Sequence, residues 1–138
     1  MSDPAPRRVA DELEIRNVVA RLAQLADTGE IDAYVDLFTE DAVWDMPGSP
    51  RRGRDDIRAG ALERRRGGTA GPGSDTRHVI STVAVTADGG DTATAESYWL
   101  FYGDSAATPK LQLLGSYRDT FRRTPQGGKL AHRRITFG

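Results

Sequence analysis

The chain contains no cysteine. That excludes disulfides, thiol nucleophiles and thiolate metal sites, and it suits a reducing, cytoplasmic setting. Histidine is nearly as scarce: His78 and His132 are the only two, with no H-x-E or HExxH spacing. A zinc centre is therefore not expected. No run approaches the roughly 18 apolar residues of a membrane span. The first residues, Met-Ser-Asp-Pro-Ala-Pro-Arg-Arg, carry no apolar core of signal-peptide length. An excess of either charge is missing too. Nineteen basic residues face twenty acidic ones for a net charge of −1, which argues against a nucleic-acid partner. Neither a glycine-rich phosphate fingerprint after a strand nor a G-x-S-x-G elbow is present, so chemistry without a cofactor is the default expectation.

What remains is a 138-residue chain of one-domain size. Residues 1–8 are proline-rich and expected to be flexible, and a single domain is expected over 9–138. Val9, Leu13, Val18, Leu22, Leu25 and Ala26 recur at helical spacing, with Ile15 and Val19 flanking and Gly29 as a stop. A short second helix carries Ile31, Tyr34, Val35, Leu37 and Phe38. A short strand follows around Ala42–Met46, and a third helix begins near Gly53 with acids in its first turn. Residues 67–74, rich in glycine, form a loop beside which a pocket could open. From Arg77 onward the pattern is all strand, with turns at Asp88-Gly89-Gly90-Asp91 and Pro125-Gln126-Gly127-Gly128. Helices followed by a meander predict an α+β domain with helices packed on one face of a curved antiparallel sheet.

Five stretches carry a family resemblance: 11–22 (Asp-Glu-Leu-Glu-Ile-Arg-Asn-Val-Val-Ala-Arg-Leu), 34–44 (Tyr-Val-Asp-Leu-Phe-Thr-Glu-Asp-Ala-Val-Trp), Arg77-His78-Val79-Ile80-Ser81, 115–121 (Gly-Ser-Tyr-Arg-Asp-Thr-Phe) and 131–135 (Ala-His-Arg-Arg-Ile). In these the chain resembles the SnoaL-like family of the nuclear transport factor 2-like superfamily, in its scytalone dehydratase and hexachlorocyclohexane dehydrochlorinase branch. The resemblance implies a cone-shaped α+β barrel around an apolar pocket for a small hydrophobic molecule. It also implies a carboxylate–imidazole dyad of Asp27, at the end of the first helix, with His78, at the start of a strand. Arg133, on the last strand, matches the dehydrochlorinase arginine. The convex sheet face of such domains packs on a copy, which implies a homodimer or homotrimer.

The residues make chemical sense in those roles. A neutral imidazole oriented by a carboxylate is a general base near neutral pH. An aspartate at a helix C-terminus opposes the helix dipole, so Asp27 asks for a purpose other than capping. Strand alternation puts Arg133 opposite His132 and Arg134, and a pocket-facing Arg133 could hold a leaving group or oxyanion. Trp44, Tyr98, Leu100, Tyr102 and Tyr117 are candidate pocket walls, with Tyr98 and Tyr34 as polar anchors. The basic clusters Arg51-Arg52-Gly53-Arg54 and Arg64-Arg65-Arg66 read as solvated surface. The combined expectation is a cofactor-independent lyase or isomerase of dehydratase type, acting on a cyclic or polyketide-like substrate. The alternative is a binding or assembly module of the same fold without chemistry.

Overall fold

The structure is a computed structural model that describes residues 5–138. Helix α1 spans Ala5–Thr28, α2 Ile31–Asp36 and α3 Arg54–Arg66. The strands are β1 Phe38–Asp45, β2 Arg51–Arg52, β3 Arg77–Ala87, β4 Thr92–Gly103, β5 Lys110–Thr124 and β6 Gly127–Phe137. They form one six-stranded sheet in the order β2-β1-β6-β5-β4-β3. The expected helices-then-sheet α+β architecture is present. The sheet is mixed, however, because β1 lies parallel to β6 while every other pair is antiparallel.

Three details differ from the sequence reading. Residues 5–8, expected to be flexible, belong to α1, and only the first four positions of that stretch lie outside the described residues. Val9 and Leu13 are exposed; of the expected stripe α1 buries Val18, Leu22 and Leu25, together with the flanking Ile15 and Val19. The packing stripe therefore starts one and a half turns later, where the helix meets β3. Phe38, assigned to the second helix, opens β1 opposite Leu130, and both are fully buried.

The sheet curves through register shifts between Ser81 and Val83, Phe101 and Tyr102, and Thr120 and Phe121. Each extra residue bends its strand and increases the local twist. The concave side receives α1, and the core gathers Leu22, Tyr34, Phe38, Ile57, Trp99, Phe121 and Leu130. At Gly115 the backbone must come close: a Cβ there would lie 2.0 Å from the Thr136 carbonyl oxygen and 2.5 Å from the Trp99 ring. That glycine lets the Trp99 indole lie flat against β5 on the concave side.

Candidate active site

The last turn of α1 delivers Asp27 into the space under the sheet, where it is 3% exposed. One carboxylate oxygen, Oδ2, accepts the backbone N–H of His78 at 2.9 Å. The other, Oδ1, lies 2.7 Å from the His78 ring Nδ1. An ionised carboxylate can only accept, so Nδ1 carries a proton, and in the neutral ring the lone pair is on Nε2. This double attachment fixes both the start of β3 and the ring orientation. Phe101, the cross-strand partner of His78, packs its ring 4.7 Å from the imidazole.

Arg133 comes from β6, between Trp44 on β1 and Asp119 on β5. Its Nε and Nη2 donate to the two Asp119 oxygens, each at 2.9 Å, and both side chains are buried. Burial works against the Arg133 charge, but the adjacent Asp119 carboxylate outweighs it and holds the guanidinium above its ordinary value. With the Nε–Nη2 edge committed to Asp119, the Nη1 edge is the one left for the cavity that Arg133 lines. The guanidinium carbon sits 3.7 Å over the Tyr117 ring, which in turn stacks on Trp99. Burial pushes the Tyr117 hydroxyl up to about 12, against the pull of Arg133. Tyr117 is therefore a neutral O–H donor at any physiological pH.

These groups surround a cavity of about 60 Å³, walled by α1 through Leu22, Ala23 and Ala26 and by α3 through Ala61, Arg64 and Arg65. Tyr34, Trp44, His78, Tyr117 and Arg133 complete it. It adjoins a more apolar cavity of about 120 Å³ that shares Trp44, Arg64, Ala70, His78 and Tyr117 and adds Met46, Trp99, Phe101, Leu113, Ile135 and Phe137. Ala70 brings the 67–74 loop to the wall of both. Among the described residues no three His, Asp or Glu side chains come together as a metal site.

The structure thus brings Asp27, His78, Arg133, Tyr34, Trp44 and Tyr117 to one place. It does not bring Tyr98, Leu100 and Tyr102, which lie on the opposite face of β4; Tyr98 is 56% exposed. The inward parity of β4 belongs to Ala95, Ser97, Trp99 and Phe101. Because both faces of this strand are apolar, alternation alone does not say which one meets the cavity. Sequence reasoning also missed three residues. Arg64 and Arg65, assigned to solvated surface, line the cavity, and Asp119 was not linked to Arg133. Signals for both were available. Arg64 and Arg65 continue the buried helical face of Ile57 and Ala61, and Asp119 shares the inward parity of Tyr117 and Phe121.

Residues 7–134 match the SnoaL-like domain family, and the chain belongs to it. No curated protein matches the chain. Among solved structures it is similar to an NTF2-like protein with a cystatin-like fold from Novosphingobium aromaticivorans, at 30% identity and a TM-score of 0.85, over 96% of this chain and 85% of the other. A candidate aromatic ring hydroxylase from the same organism is 29% identical with a TM-score of 0.75, covering 94% of this chain and 90% of that one. A candidate scytalone dehydratase, also from that organism, shares the fold at 17% identity and a TM-score of 0.81, covering 97% and 88%. No helix among the described residues is long and apolar enough to cross a membrane.

Proposed function

We propose that this protein is a cofactor-independent lyase or isomerase that removes a proton from a small, largely apolar, cyclic substrate. The observation that carries the proposal is the His78–Asp27 pair, with Nδ1 at 2.7 Å from a buried carboxylate on a ring that lines the cavity. His78 Nε2 takes a proton from a carbon next to a carbonyl; the C–H electron pair becomes the C=C bond of the enolate, and the carbonyl π pair moves to the oxygen. The Nη1 edge of Arg133 and the hydroxyls of Tyr34 and Tyr117 are the donors available to that oxyanion. Collapse of the enolate either recovers the proton from His78 at another carbon, an isomerisation, or expels a β-hydroxyl, which takes that proton and leaves as water. Exclusion of water by the apolar wall strengthens each of these interactions.

The alternative reading is a binding module of the same fold without chemistry. The buried, doubly bonded Asp27 favours catalysis here, because a passive wall needs no oriented imidazole. Proton transfer is tested without knowing the substrate. In D2O the protein should catalyse deuterium exchange into small single-ring ketones such as cyclohexanone, followed by NMR. His78→Ala and Asp27→Asn should each lower the exchange by about 100-fold or more. Exchange near wild type in both variants would end the proposal.

We further propose that the protein self-associates through the outer sheet face. Val79, Leu100 and Leu114 are cross-strand neighbours there, with Tyr98 and Leu111 beside them, and four of these five are close to half exposed or more.

A further inference from the structure

Arg64 stands apart from the other charges of the cavity. Asp27 engages His78, Asp119 engages Arg133, and Arg65 donates through Nη2 to the Leu25 carbonyl at the end of α1, at 2.9 Å. The Arg64 guanidinium has no hydrogen bond or ion pair among the described residues; only its backbone carbonyl accepts, from the Thr69 and Ala70 N–H groups. Its guanidinium lies 4.6 Å over the Trp44 ring and lines both cavities, as His78 does. Three guanidiniums thus face two carboxylates, and with a neutral imidazole the site carries one uncompensated positive charge.

From this geometry we infer that the ligand is an anion: a single-ring carboxylate whose charge is bound by Arg64 and whose ring lies in the adjoining apolar cavity. The inference rests on the proton-abstraction reading and names the substrate class for that site. Three arguments support it. A guanidinium held over an indole ring, with no hydrogen-bond partner of its own, keeps its planar fork of N–H donors free for a carboxylate to accept in bidentate fashion. Half-burial of Arg64 in an apolar wall removes competing water and strengthens such a pair relative to one on an open surface. Size also agrees. An apolar cavity of roughly 150 Å³ accommodates a benzene ring, and the adjoining apolar cavity here, about 120 Å³, is on that scale.

Benzoate and benzamide make the test, because they share shape and differ in charge. The chain's two histidines make the readout simple: His78 reports on the cavity, and exposed His132 is the internal control. Benzoate should shift the His78 ring carbon-bound proton resonances saturably and leave His132 unmoved, and benzamide should need at least tenfold higher concentration. Arg64→Gln should remove that preference, while Arg64→Lys should keep part of it. Equal binding of the two probes, no benzoate binding, or a preference that survives Arg64→Gln would each overturn the inference. Quenching of tryptophan fluorescence, with Trp44 directly beneath Arg64, repeats the measurement in His78→Gln, where the benzoate preference should persist. If Arg64→Gln leaves the preference intact while His78→Ala abolishes deuterium exchange, only the anion inference falls. If His78→Ala exchanges normally while Arg64→Gln loses the preference, only the proton-abstraction reading falls.

Discussion

Asp119 holds Arg133 by both Nε and Nη2 at 2.9 Å, in a pair buried on both sides and directly paired in the β5–β6 register. The pair aims the remaining guanidinium edge at the cavity. Removing one partner leaves the other charge buried without compensation. Asp119→Ala should therefore destabilise the protein by about 3–5 kcal/mol, read as a fall in the urea midpoint. An Asp119→Leu, Arg133→Met double variant should recover much of that loss, because neither charge then remains to be desolvated. A double variant no more stable than Asp119→Ala would mean that the pair does more than compensate charge.

The bond between Asp27 and the His78 ring makes a spectroscopic prediction that needs no substrate. Nitrogen-15 spectra of the imidazole should show a protonated Nδ1 and a bare Nε2 in the neutral ring. Asp27→Asn replaces the acceptor pair by one acceptor and one donor, so the fixed tautomer should give way to a mixture. The same variant also weakens the contact to the His78 backbone N–H, and a loss of about 1–3 kcal/mol in stability should accompany it. A wild-type ring already in the opposite tautomer would remove the basis for assigning Nε2 as the base.

The site was partly legible in the sequence, and the reasons are local. Asp27 and His78 lie 51 positions apart, and only the helices-then-meander order, with the family resemblance, gave them a common pocket. Strand parity says only that Arg133 and Arg134 face opposite sides; the family resemblance is what points to Arg133, and β6 buries Arg133 and Ile135 and exposes His132 and Arg134. The same rule failed on β4, where Tyr98, Leu100 and Tyr102 are as apolar as Trp99 and Phe101, and a slip of one residue exchanges the faces. Arg64 and Arg65 were hidden by composition: a run of three arginines looks solvated, although two of them lie on the face that Ile57 and Ala61 bury. The parallel placement of β1 beside β6 left no trace in local pattern, because it depends on where a distant strand closes the sheet.

The outer sheet face makes a prediction about assembly. Leu100 is flanked in register by Val79 and Leu114, so a charge introduced there is surrounded by apolar side chains from both neighbours. Wild-type protein should sediment as a dimer or trimer at micromolar concentration, and a Leu100→Glu, Leu114→Lys variant should sediment as a monomer with an unchanged circular dichroism spectrum. A monomeric wild type would remove this face as an interface.

Burial of Tyr117 makes a prediction for stability at alkaline pH. Its hydroxyl is pushed up to about 12 by burial from an ordinary 10.0, so above pH 10 the unfolded chain ionises this group while the folded chain keeps it neutral. The unfolded state then binds fewer protons, and stability falls with rising pH. The contribution is present in full below pH 10 and is lost progressively as pH rises towards 12. Two pH units at about 1.4 kcal/mol each put that loss at roughly 3 kcal/mol. Tyr117→Phe has no proton to lose, so its urea midpoint should decline less than that of wild type between pH 9.5 and 11.5. Parallel declines in the two proteins would show that other groups govern alkaline unfolding. A Tyr117 that ionises near 10 in the folded protein, seen as a phenolate absorbance step missing from Tyr117→Phe, would show that its hydroxyl is solvated, and would withdraw it as a neutral donor to the oxyanion.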